Sequence, residues 1–207
     1  MKFEITAESH LIRAIELLKK NSMPEKFYCA YELRCCIERI LLEYLILLKY
    51  PEKLSRSEER EYRGERLYNF MKCYDLEFEK KFEFANIYLE AMGVEQNMRI
   101  PNFDRLNEIH GRLGNYLHAL KVPEETIENR DWLSQFASFL DSVCQELRHL
   151  LEKPHAVCKP TPNTLSMDLY QKFLSGKYTS EQLKNMIKIA NINGRTPIEC
   201  PTNPSSA

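Results

Sequence analysis

The sequence predicts an all-α protein: an up-and-down helical bundle with a small helical appendage at its C-terminal end. Three observations carry this. Apolar residues recur at helical spacing in five long stretches. Period-2 alternation of the kind that makes a half-buried strand is essentially absent. Capping residues, glycines and prolines fall where those stretches begin and end. A chain of 207 residues, 43% apolar and 29% charged, is long enough to bury a full core without staples.

The first helix is expected from about Thr6 to Lys20, with Leu11, Ile12, Ala14, Ile15 and Leu18 on its inner face. Ser22 is placed to cap the second, and Pro24 suits its first turn. This second helix is long, about Pro24 to Leu48, and Pro51 closes it. Its inner positions include Phe27, Tyr31, Arg34, Ile37, Leu41, Tyr44 and Leu48. A charge on that stripe needs a partner, and Glu38 stands one turn beyond Arg34. The stretch "KLSRSEEREYRGER" (53–66) is nearly all charge and reads as a solvated helix or loop. A third long helix follows from about Glu77 to Met92, and Gly93 ends it. Asn102 is a cap for a fourth, about Phe103 to Leu120, before Pro123. The fifth covers about Asp131 to Glu152, with Trp132, Phe136, Phe139, Leu140, Val143, Leu147 and Leu150 along it.

Composition then shifts. Three prolines in 153–164 mark a linker. Residues 165–193 read as two short helices: Gly176 ends the first, and Thr179 with Gln182 forms a capping box for the second. The pair is too small to fold alone and is expected to dock. Residues 194–207 read as a flexible tail. The expected domains are therefore 1–152, the bundle, and 165–193, the appendage.

Net charge is −1 and the isoelectric point about 6.5, so any RNA contact must use a local patch. The N-terminus lacks an uninterrupted apolar run and a small-residue cleavage site, so it is not a signal peptide. The longest apolar run, "ILLEYLILL", is broken by Glu43 and too short to span a bilayer. Seven cysteines without a C-x-x-C pair read as reduced thiols, Cys29 and Cys36 among them on apolar positions. The expected location is cytoplasmic, with no membrane association. His155 and Cys158 have no second ligand pair, so neither metal nor cofactor is expected.

The stretch "HGRLGNYLHAL" (110–120) is the chemical candidate. Arg112 and His118 make an Arg-x5-His pair, and Arg105 and His110 make an Arg-x4-His pair as the alternative. On a helix, Arg112 and His118 lie about 120° apart in azimuth and about 9 Å apart along the axis, with Asn115 halfway. That is an oblique band. Two copies meeting about a two-fold axis would face band against band. Gly114 costs about 1 kcal/mol against alanine in a helix interior. It offers either close approach of another backbone or a packing position beneath the second helix.

"AYELRCCIERILLEYL" resembles the long helix of HEPN domains, and "IHGRLGNYLHAL" resembles the later helix that carries their Arg-x4-6-His motif. The likeness spans roughly residues 1–152. It implies a helical bundle that dimerises and often cuts RNA without metal, in defence or toxin–antitoxin systems. RNA, a second copy of the chain, and an antitoxin or regulatory protein are the partners implied. Carried to this chain, His118 is the general acid or base, Arg112 stabilises the phosphate and Asn115 orients either the histidine or the phosphate. Glu108, one turn before Arg112, is expected to hold it, and Arg34 with Glu38 to support the helix. RNA carries its own nucleophile, the 2′-hydroxyl, so carboxylate-held metal is not required. One position departs from the family: Leu113 stands where a polar residue usually follows the motif arginine. That departure and the acidic isoelectric point suit the alternative, a non-catalytic interaction or nucleotide-binding module that regulates a partner protein.

Overall fold

The computed structural model describes residues 4–20, 22–93, 99–118, 129–153 and 165–192. Among them are nine helices and no strand: α1 (Ala7–Lys19), α2 (Met23–Lys49), α3 (Arg56–Glu59), α4 (Gly64–Tyr74), α5 (Phe78–Ala91), α6 (Phe103–Leu117), α7 (Arg130–Leu151), α8 (Leu165–Leu174) and α9 (Ser180–Ile192). The described residues form an all-helical protein. No described helix is long and apolar enough to cross a membrane. The linker after Lys153, the tail after Ile192, and His155, Cys158 and Cys200 lie outside the described residues.

Local chemistry sets the ends. Thr6 caps α1 by accepting from the Ser9 N–H at 3.1 Å. Asn102 does the same for α6 through Arg105, and Asn129 accepts from Asp131 and Trp132 at the start of α7. Ser22 occupies the cap position of α2 without a side-chain bond, and Pro24 lies in its first turn. Thr179 and Gln182 exchange bonds of 3.0 and 3.3 Å, the capping box the sequence predicts.

The charged stretch, read as a solvated helix or loop, carries the short helix α3. Ser55 and Glu58 form a capping box on α3, and Lys49 Nζ donates to both Glu58 oxygens at 3.0 and 2.9 Å. This ties α3 back to the end of α2. Glu61 then accepts from the Tyr62 and Arg63 backbone N–H groups and, through both oxygens, from the Arg63 guanidinium. The Arg63 guanidinium, with those backbone donors, lowers the Glu61 carboxyl from an ordinary 4.5 to about 2, against the upward push of burial. A depressed carboxyl stabilises the fold fully above its unfolded value and loses that contribution as pH falls through its folded value. We therefore expect Glu61→Gln to melt lower than the parent at neutral pH, and the gap to close between about pH 4.5 and 2. A gap that widens on acidification would contradict this.

The chain forms two compact units, one of Met1–Phe70 with Pro101–Glu152, the other of Met71–Ile100 with Lys153–Ala207. In the first, α2 packs against α1, α6 and α7. Its inward face carries Leu33, Ile37, Ile40, Leu41, Tyr44 and Leu48, all shielded from solvent. Tyr31 differs from expectation: it lies on the opposite side of α2, more than half exposed at 56%. α6 runs antiparallel to α2. Phe103 at its start meets the Tyr44 ring edge-on at 5.4 Å, and Tyr116 near its end stacks on Phe136, which also touches Phe27. Cys29 and Cys144 are buried thiols, free and hydrogen-bonded to each other.

The second unit is built round α5. Phe84, Ile87, Tyr88 and Ala91 pack with Leu169, Tyr170, Phe173, Leu183 and Ile187 from α8 and α9. The sequence reading placed residues 1–152 in one bundle; here 71–100 group with the helices beyond 152. The physical reason is the aromatic face of α5, where Phe84 meets Tyr170 at 4.9 Å and Phe173 at 6.1 Å. Lys80 also donates to the Leu174 carbonyl, and Ser180 to Glu83.

Candidate functional site

α6 is amphipathic, and its two sides divide the candidate residues. Phe103, Leu106, Ile109, His110, Leu113 and Gly114 face inward. Asp104, Glu108, Gly111, Arg112, Asn115 and His118 are exposed. Leu113 is fully buried, so the position after Arg112 is a core position in this helix. The helix ends at Leu117, earlier than Leu120. His118 is its C-cap in extended conformation (φ −84, ψ 96), and its N–H donates to the Gly114 carbonyl.

Arg112 and His118 therefore stand on the last two turns of α6, both open to solvent, with exposed Asn115 between. The Arg112 guanidinium lies 4.0 Å from the centre of the Phe139 ring of α7. A cation–π contact fixes the guanidinium plane while leaving its in-plane N–H donors for another group. The expected Glu108–Arg112 pair is not formed. Glu108 instead accepts from Arg105 at 2.9 Å, and Arg105 also lies 3.5 Å from Glu146 of α7. The i,i+3 partner with a second carboxylate beside it outcompetes the i,i+4 one.

The alternative pair is not assembled. Arg105 engages carboxylates on one side of α6, while His110 turns towards α2. His110 is only 8% exposed. Its Nε2 donates to Glu38 Oε1 at 2.8 Å, and Arg34 Nε lies 3.1 Å from that same oxygen and 3.2 Å from His110 Nε2. The i,i+4 spacing of Arg34 and Glu38 was legible; the histidine that joins them from α6 was not. Gly64 makes room for this cluster, while Gly114 lies at ordinary contact distance from it. A Cβ on Gly64 would lie 3.1 Å from the His110 ring, and a Cβ on Gly114 would lie 3.4 Å from Arg34 Nη1. Gly114 thus sits beneath α2, where the Arg34 side chain crosses it.

Arg34 and His110 of this cluster line a cleft of about 590 Å³, together with Arg63, Glu65, Asp104, Asn107, Glu108 and Gly111. Sequence reasoning missed this cleft, because α4 and its glycine start lay hidden in a charged run. Asp104 is held there by Tyr68, whose hydroxyl donates to Oδ1 at 2.8 Å. Among the described residues, no group of three or more His, Cys, Asp or Glu is arranged to hold a metal ion. No family model, curated protein or solved structure matches this chain.

Proposed function

We propose that the first unit is a metal-independent RNA endonuclease of the HEPN type, acting as a homodimer in a defence or toxin–antitoxin setting. The observation that carries this is the strip at the end of α6. Arg112 is exposed and held on Phe139, and His118 is exposed at the helix cap, with Asn115 between. In the reaction, the 2′-oxygen of a ribose attacks the adjacent phosphorus and loses its proton to a base. The 5′-oxygen of the next nucleotide leaves and takes a proton from an acid. Histidine suits both roles, and a fixed guanidinium suits the charge on the pentavalent phosphate. One strip supplies one histidine. A second copy about a two-fold axis supplies the other, so the proposal needs a dimer.

A second reading has an observation of its own. The most organised polar cluster, Arg34–Glu38–His110, lies at the cleft and not at Arg112 and His118. That arrangement fits a non-catalytic module that binds a nucleotide or a partner protein. The test that separates the two is cleavage of a structured RNA by the full chain in excess EDTA, with light scattering at the same concentration. The endonuclease reading expects cleavage and a dimer. A strict monomer that binds RNA without cutting it moves the weight to the second reading.

A further inference from the structure

Gly111 has no packing reason to be glycine. It lies in the interior of α6 and is exposed, and a Cβ built on it meets no atom within 4 Å. Its neighbour glycines differ, since Gly114 has Arg34 beside it and Gly64 has His110. A helix-interior glycine costs about 1 kcal/mol against alanine, so bare backbone here leaves that cost without a compensating contact inside the chain. What it does leave is open space in the cleft that Gly111 lines.

The cleft has a definite chemistry. Its two arginines are already neutralised, Arg34 by Glu38 and Arg63 by the paired bonds to Glu61. Three further carboxylates line it, Glu65, Asp104 and Glu108, of which Glu108 is paired with Arg105. A phosphate is therefore repelled. A group that presents N–H donors is welcomed. Glu65 is exposed and takes part in no salt bridge among the described residues. Asn107 offers an amide donor and acceptor at the same cleft. The Arg63 guanidinium, pinned by Glu61 and 6.0 Å from the centre of the Tyr62 ring on one side, has a second flat face of the kind on which unpaired bases stack. The volume lies within the range of small-molecule sites.

We infer that this cleft holds an unpaired guanine of the RNA strand. Glu65 accepts from the guanine N1–H and N2–H, Asn107 donates to O6, and the ring lies on Arg63 above bare Gly111. Uracil fits badly, because two carbonyls flank its single N–H donor and would face the carboxylate. The inference rests on the RNA reading of the α6 strip. It deepens that reading by naming the base read beside the cut. Gly111 and His118 are seven residues apart, about 10 Å along the helix, a short step along a single strand.

The experiment uses the full chain carrying His118→Ala, so that bound RNA stays intact. Fluorescence anisotropy at fixed salt compares an eight-nucleotide uridine tract with the same tract carrying one central guanosine. The guanosine oligonucleotide should bind about tenfold tighter, the discrimination expected of one bidentate pair. Adding Glu65→Gln or Gly111→Leu should erase the difference between the two oligonucleotides. Gly111→Leu should melt no lower than its parent, since nothing crowds that position. Equal affinity for the two oligonucleotides, or a preference that survives both substitutions, overturns the inference. If RNA is cut by the unsubstituted chain and the oligonucleotides bind alike, the endonuclease reading stands and this one falls. If RNA is neither cut nor bound, guanosine titrated against uridine decides: saturation by guanosine alone keeps the cleft as a guanine site, and equal response rejects it.

Discussion

Under the proposed endonuclease reading, replacing His118 by alanine is expected to lower RNA cleavage by about 10²–10⁴-fold, the contribution of a general acid–base group. The fold is untouched, because His118 is exposed at the end of α6 and its backbone N–H, not its ring, closes the last turn on Gly114. Its melting temperature stays with the parent's. Arg112→Ala loses cleavage to a comparable degree and also gives up the guanidinium's seat on Phe139. Arg112→Lys keeps the charge but not the planar fork, and recovers little. His110→Ala behaves in the opposite way: it lowers the melting temperature, because it removes a buried member of the α2–α6 cluster. A His118→Ala chain that cuts at the parent rate would remove the histidine from the chemistry.

Glu38→Ala is the substitution with the largest expected effect on stability. Glu38 is the shared acceptor for Arg34 and His110, in a site where the His110 side chain is only 10% exposed. Deleting it leaves a mostly shielded guanidinium beside an imidazole with no carboxylate between them. The cost is about 2–3 kcal/mol, below that of a fully buried pair because Arg34 keeps some contact with water. Glu38→Gln costs less, since its amide oxygen still accepts from Arg34. Denaturant titration of the two variants checks this, and a Glu38→Ala midpoint equal to the parent's would mean the cluster does not hold α6 on α2.

Helices were legible because their signals are local. Thr6, Asn102 and the Thr179–Gln182 box act within one turn, so sequence alone marks where those helices begin. α4 was not legible. Its apolar residues Leu67, Tyr68 and Met71 sit behind the run "EREYRGER", and Gly64 at its start reads as a break. Partner choice was also out of reach. Periodicity shows that α5 has an apolar face, but not that the face meets α8 and α9. At the site, the i,i+4 spacing exposes Arg34 and Glu38, while His110 stands in the sequence only as the histidine of the alternative Arg-x4-His pair. It lies on the edge of the buried side of α6, and only the crossing of α6 over α2 brings it to Glu38. The Glu108–Arg112 pair failed for a related reason, because Glu146 of α7 draws Arg105, and Glu108 with it, to another side of the helix.

The central claim is that RNA supplies the nucleophile and this chain only moves protons and stabilises charge. The most direct measurement is the mass of the upstream fragment released from a defined RNA in excess EDTA. The account predicts a 2′,3′-cyclic phosphate at its end, absent when His118→Ala is used. A fragment ending in a 3′-hydroxyl, with a 5′-phosphate on its neighbour, would contradict it, as would cleavage that appears only when a divalent metal is restored.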